Sequence, residues 1–268
     1  METKKQKKVK KSSVSATLVI FGCAIVAVCF FLFVCGDPSG FNEKGGPLPG
    51  HIFATMYKGG FVVPIILTLL LTVFVLSIER SFAFGRMKGK ANQTKFVADV
   101  KAKLAEGDIA GAREMCDKQK GTVANILNAG LIRYEDVEKI DGMNNDEKAA
   151  IIQKEIEEAT ALEMPSMQQN LPVIAVISTL GTLFGLLGTV LGMIRAFSAL
   201  GQEGSPDSTA LSTAISEALI NTATGIATGA FAIIFYNFFA QKVENITNAV
   251  DEVGFAVGQT YTTKHLKK

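Results

Sequence analysis

Between Asp207 and Lys242 the only charged side chain is Glu217, in a run long enough to cross a bilayer as a helix. A charged group at that depth costs about 2.5–3.5 kcal/mol or more, so it calls for a functional reason. The chemistry a carboxyl group offers there is proton uptake and release. At helical spacing Thr213, Glu217, Asn221, Thr224 and Thr228 fall on one narrow stripe. Beside it Ala214, Ala218, Thr222, Gly225, Gly229 and Ala232 form a second stripe, small enough for another helix to approach closely. Leu, Ile and Phe cover the rest. A polar line, a packing face and a lipid face together suit a conduit better than an anchor.

A second uncharged run, residues 165–194, ends at Arg195. Within it Gly181, Gly185, Gly188 and Gly192 recur at helical intervals and share one face, where backbones can touch. Ser178, Thr182 and Thr189 line the adjoining face. The short polar segment 201–207 makes the two runs antiparallel neighbours. Counting outward from it, Thr189 reaches the level of Asn221 and Thr222. The carboxyl, the amide and several hydroxyls then share one depth, and Thr and Asn can hydrogen-bond either state of the acid. The plainer alternative is that Glu217 hydrogen-bonds another subunit and fixes assembly.

The elements that must position these residues follow from charge segregation. The 268-residue chain is 48% hydrophobic with mean hydropathy +0.29, and uncharged runs alternate with dense Lys/Glu stretches. That pattern predicts an all-α, polytopic helical membrane protein with long membrane helices and a helical cytoplasmic domain. Residues 1–60 comprise a lysine-rich start, a first apolar run at 14–34 and a Gly/Pro-rich periplasmic loop, ending in HIFATMYKGG as a short interfacial helix. The apolar run exceeds a usual signal core and lacks a following A-x-A site, which favours a retained span. Residues 61–79 are the next span, closed by Glu79, Arg80, Arg86, Lys88 and Lys90. Residues 80–170 form the cytoplasmic domain, with helices expected at 95–106, 109–118, 125–134 and 146–164. Spans at 171–198 and 211–241 flank a periplasmic loop at 199–210, and 242–268 is a basic cytoplasmic tail. Every basic cluster then lies on one side, as the positive-inside rule demands.

Several functions find no support. A net charge of +2 gives none for nucleic-acid binding. Cys23, Cys29, Cys35 and Cys116 have no metal-ligand spacing and read as small apolar side chains, and His51 and His265 are isolated. No nucleotide-binding loop or nucleophile motif is visible, so neither an enzyme, a cofactor nor a metal site is expected.

The segments Leu186-Leu187-Gly188-Thr189-Val190 with Gly192, Ile215-Ser216-Glu217-Ala218-Leu219, Thr222-Ala223-Thr224-Gly225 and Tyr236-Asn237 resemble the ExbB/TolQ/MotA proton-channel family, nearest its ExbB branch. Ile78-Glu79-Arg80 and the region around Gly107-Asp108 fit as well, so the resemblance covers about residues 60–250. The first span departs from the common three-span plan and is similar to a Bacteroidetes-like form with an extra N-terminal span. The resemblance implies a homopentamer in the bacterial inner membrane, its last two spans lining a pore that holds an ExbD-like single-span protein. A TonB-like protein would carry the work to outer-membrane transport. It also matches Glu217 to the family's essential carboxylate and Thr189 and Thr222 to its pore-lining threonines. The proton pathway expected is Glu217, Thr189, Thr222, Asn221, Thr224 and Thr182; the helix-packing set is Gly181, Gly185, Gly188, Gly192, Gly225 and Gly229. A TolQ-like or motility stator role, or a non-conducting membrane scaffold, are the alternative readings. A proton crossing 100 mV releases about 2.3 kcal/mol, an adequate drive without ATP.

Overall fold

The computed structural model describes residues 15–43, 46–48, 50–202 and 208–266. The expected lysine-rich start, most of the segment 201–207 and the last two lysines lie outside these residues. Nine α-helices run in order: α1 (Ala16–Phe30), α2 (Ile52–Lys58), α3 (Val62–Met87), α4 (Gln93–Ala105), α5 (Ile109–Gln119), α6 (Thr122–Glu138), α7 (Asn145–Gln168), α8 (Leu171–Gln202) and α9 (Ser208–Leu266) among the described residues. A π turn, Phe31–Cys35, extends α1. Among the described residues four stretches are long and apolar enough to cross a membrane, Ala16–Cys35, Val62–Met87, and segments within Asn145–Ser198 and Leu211–Thr263. The chain is an all-α, multi-pass membrane protein.

It divides into two compact units: Met1–Leu76 with Val173–Ile233, and Ser77–Pro172 with Ile234–Lys268. In the first unit α1 is apolar all round and buries only one face, Val19, Cys23 and Ala27, at intervals of four. Ala27 and Cys35 pack with Met56, Val63 and Leu67, and Ile220 of α9 joins that cluster. Tyr57 of α2 stacks on Phe31 at 4.9 Å. The short helix expected in HIFATMYKGG is therefore α2, held by its aromatic contacts as much as by its seven residues of helix.

The second unit is built on α4–α7 and the far end of α9. Phe96, Val97, Val100 and Leu104, read as one face of an amphipathic helix, are buried together in α4. Gly107, at φ +75°, turns the chain, and Asp108 caps α5 by accepting a hydrogen bond from the Gly111 N–H at 2.9 Å. The third helix, expected at 125–134, runs from Thr122 to Glu138, because Val123 and Val137 extend its buried face at both ends.

Three features go beyond the expectation. The helix that holds the second span, α3, continues through the basic cluster to Met87 and carries Phe84 into this core. Arg80, placed by sequence in the basic cluster that closes the second span, is 2% exposed. Its Nε donates to Glu79 Oε2 at 2.7 Å and its Nη1 to the Ser166 carbonyl at 3.3 Å. Asn170 Nδ2 donates to the same Glu79 carboxylate at 3.2 Å, in the left-handed turn (φ +62°) that separates α7 from α8. Neutralised and hydrogen-bonded on every side, the guanidinium no longer needs water. Finally, residues beyond 242 continue α9 as one helix, with Val243, Ile246, Val250, Val253, Val257 and Tyr261 all in the core.

Candidate functional site

In the first unit α8 and α9 cross along a line of glycines that leaves no room for a Cβ at the contact. A Cβ on Gly181 would lie 3.2 Å from the Gly225 carbonyl oxygen, and one on Gly185 would lie 3.1 Å from Gly225 Cα. Farther along, a Cβ on Gly188 would strike Asn221 Cβ at 2.5 Å and one on Gly192 would strike Ala218 Cβ at 2.7 Å. The order 181, 185, 188, 192 against 225, 225, 221, 218 is that of an antiparallel pair. Gly229 completes the contact, its would-be Cβ 2.7 Å from the Ser178 carbonyl oxygen. All six glycines of the packing set therefore face this contact inside one chain.

Close approach brings two hydroxyls together. Thr189 Oγ1 and Thr222 Oγ1 share a hydrogen bond across the contact. Thr222 Oγ1 also lies 3.1 Å from the Gly185 carbonyl, and Thr189 Oγ1 lies 3.3 Å from that same oxygen. Each hydroxyl has one proton to give and lone pairs to accept, so the pair forms a short donor–acceptor chain ending on a backbone carbonyl. Thr189 also opens onto an apolar groove lined by Val190, Met193, Ile194 and Phe197.

Glu217 is half-buried and makes no hydrogen bond among the described residues. The cations whose charge acts on it are Arg195 of α8 and Lys58 at the end of α2. In the sequence Arg195 and Lys58 each bound an uncharged stretch, a signal too general to pair them; only the fold brings Arg195 to the turn that follows Lys58, where a Cβ on Gly60 would stand 3.5 Å from its Nη1.

The remaining residues of the expected pathway stand apart. Thr224 Oγ1 donates to the Ile220 carbonyl at 2.8 Å and Thr182 Oγ1 to the Ser178 carbonyl at 3.3 Å. Each hydroxyl proton is thus engaged one turn back on its own helix, which is how threonine is tolerated in an apolar surrounding. Asn221 is 1% exposed, turned into the first unit, and its Nδ2 donates to the Gly59 carbonyl at 3.2 Å.

The first unit thus holds a glycine-mediated pair of long apolar helices, with a hydroxyl pair across their contact and one half-buried carboxyl group on α9. Residues 118–252 match the MotA/TolQ/ExbB proton channel family. The ExbB-like 3 biopolymer transport protein of Synechocystis sp. is 28% identical over 184 residues, 68% of this chain and 81% of that protein. ExbB-like 1 of the same organism is 31% identical over 185 residues, 67% of this chain and 66% of its own length. The Tol-Pal system protein TolQ of Haemophilus influenzae is 23% identical over 203 residues, 73% of this chain and 88% of its own. The chain belongs to the MotA/TolQ/ExbB proton channel family. Its relatives carry both ExbB and TolQ names, so membership defines a proton-channel-type membrane protein without choosing between those systems.

Proposed function

We propose that this protein is the ExbB-like proton-channel subunit of a bacterial inner-membrane motor that turns the proton-motive force into work for TonB-dependent outer-membrane transport. The observation that carries the reading is Glu217, alone among uncharged residues from 208 to 241 and on the helix that bears Thr222. Glu217 takes up and releases the proton. The Thr189–Thr222 pair passes it along the contact between α8 and α9, with Thr224 and Thr182 as hydroxyls farther along the path. Arg195 and Lys58, the cations whose charge acts on Glu217, both belong to this chain.

In this reading the protein is a homopentamer, an ExbD-like single-span protein occupies its pore and a TonB-like protein receives the work. Residues 80–170 and the end of α9 are cytoplasmic, and 36–60 and 199–210 are periplasmic. A TolQ-like role in the same architecture is the second reading, favoured by the TolQ relative of which this chain spans 88%. Glu217→Gln tests the proton role, because glutamine keeps size and hydrogen bonding but has no ionisable proton. Gradient-driven activity should stop while assembly and partner binding persist. Wild-type activity at normal protein level would overturn the reading in favour of a scaffold.

A further inference from the structure

Asn221 occupies a slot made by two glycines on different elements. A Cβ on Gly188 of α8 would lie 2.5 Å from Asn221 Cβ, and a Cβ on Gly59, between α2 and α3, would lie 2.6 Å from Asn221 Oδ1. The amide is buried, its Nδ2 donates to the Gly59 carbonyl at 3.2 Å, and its Oδ1 makes no hydrogen bond among the described residues. Burying an amide with one acceptor left unmet is costly, so the one bond Asn221 does make bears directly on this packing. The arrangement here is specific. Asn221 stands one helical turn after Glu217 on α9, and the carbonyl it holds follows Lys58 directly in sequence. The next residue, Gly60 at φ +79°, lies against the Arg195 guanidinium, where a Cβ would stand 3.5 Å from Nη1. One hydrogen bond thus ties the turn of α9 that bears Glu217 to the turn from which Lys58 projects and on which Arg195 rests.

We propose that Asn221 is a positioning residue, which hangs the Glu217 turn of α9 on the Gly59 carbonyl and so fixes that carboxyl group relative to Lys58 and Arg195, and that it carries no proton itself. The proposal rests on Glu217 as the proton-handling group. It makes the N–H donor, not polarity or titratability, the property that matters at position 221.

The test uses the full-length protein with its single-span partner in liposomes, comparing Asn221→Ala with Asn221→Asp. Proton flux is read across pH, and amide hydrogen exchange over residues 52–63 is read at neutral pH. Loss of one positioning hydrogen bond should lower Asn221→Ala flux about tenfold at every pH. It should also speed exchange over residues 52–63, while native mass spectrometry shows the oligomer intact. An ionised Asp cannot donate to a carbonyl, whereas its neutral O–H can, and burial raises the pKa at which it ionises. Asn221→Asp flux relative to wild type should therefore fall to that of the Ala variant on the alkaline side of its own titration and recover on the acid side, where the Ala variant's does not. The charged groups facing this position are Glu217 on its own helix, Arg195 from α8 and Lys58 from α2, all common to both variants, so their titration cancels in the comparison. Wild-type flux for Asn221→Asp at every pH, up to the alkaline limit of the assay, would show that the donor is not needed and overturn the proposal. So would unchanged exchange in Asn221→Ala, or an Asp variant that stays low at every pH. If Glu217→Gln conducts normally, the proton reading fails instead, and the exchange measurement still decides whether Asn221 holds the turn.

Discussion

Gly185 of α8 and Gly225 of α9 meet backbone to backbone: a Cβ on Gly225 would lie 2.6 Å from Gly185 Cα, and one on Gly185 would lie 3.1 Å from Gly225 Cα. Sequence spacing identifies such a face but not its partner, which lies within the same chain. Gly225→Ala should therefore destabilise the protomer, by about 1–3 kcal/mol of overpacking, rather than only weaken subunit association. Thermal unfolding in detergent should show the loss at dilutions where no oligomer forms. A wild-type melting curve with a changed oligomer would place the effect at a subunit boundary.

Thr189 and Thr222 permit a sharper separation of packing from chemistry. Thr222→Val keeps the branched shape and removes the hydroxyl that bonds both Thr189 and the Gly185 carbonyl. Flux should fall several-fold, with assembly unchanged by native mass spectrometry. Thr224→Val removes a hydroxyl engaged only with the Ile220 carbonyl and should cost less. Equal losses in the two variants would argue against the hydroxyl pair as the conducting element.

Arg80 is the buried charge whose loss should be felt most. Arg80→Met leaves the Glu79 carboxylate without its counter-charge beside the α7–α8 turn. Breaking a buried pair by removing one partner costs about 3–5 kcal/mol. Loss of detergent-extractable folded protein or a much-lowered melting temperature is expected for Arg80→Met. Arg86→Met, at an exposed position three residues nearer α4 than Ala83, should change stability little. A wild-type melting curve for Arg80→Met would mean the ion pair contributes no net stability.

Asp108 gives a pH dependence with a definite sign. The Gly111 N–H, and then Lys103 beside it, hold its carboxyl below the usual carboxylate range. A depressed folded value means the stabilisation is complete above the unfolded value, near pH 4, and is lost as pH falls through the folded one. Asp108→Asn keeps a capping oxygen but does not titrate, so its stability should depend less on pH below about 4. Urea unfolding of wild type and variant between pH 7 and 3 measures the difference, and parallel curves would sink the prediction.

Cysteine accessibility checks the proposed topology. Burial pushes the Cys116 thiol up to about 12, so it should stay unmodified in the folded protein and not confuse labelling. After Cys29, exposed on α1, is replaced by Ser, a cysteine at exposed Lys120 should react with an impermeant thiol reagent only from the cytoplasmic side. One placed within 201–207 should react only from the periplasmic side. The reverse pattern would invert the topology.

Local sequence determined the helical nature of the chain and most of its framework. Apolar runs of span length, a lone carboxylate among them, glycines three and four apart, and the Gly107-Asp108 break each act through near neighbours or through the bilayer, so their consequences can be read one segment at a time. The tertiary structure decided which partner each face meets. Val243, Ile246, Val250, Val253 and Val257 show the spacing of a buried stripe, yet charged residues between them made 242–268 look like a tail until a core was seen to cover it. Arg80 reads as a surface cation until Glu79, Ser166 and Asn170 surround it. Asn221 falls on the same helical stripe as Glu217, but its direction is set by Gly59 and Gly188, which lie 162 and 33 residues away in the chain. A period of 3.6 assigns a residue to a face; only packing between distant segments decides whether that face meets lipid, a pore or another helix.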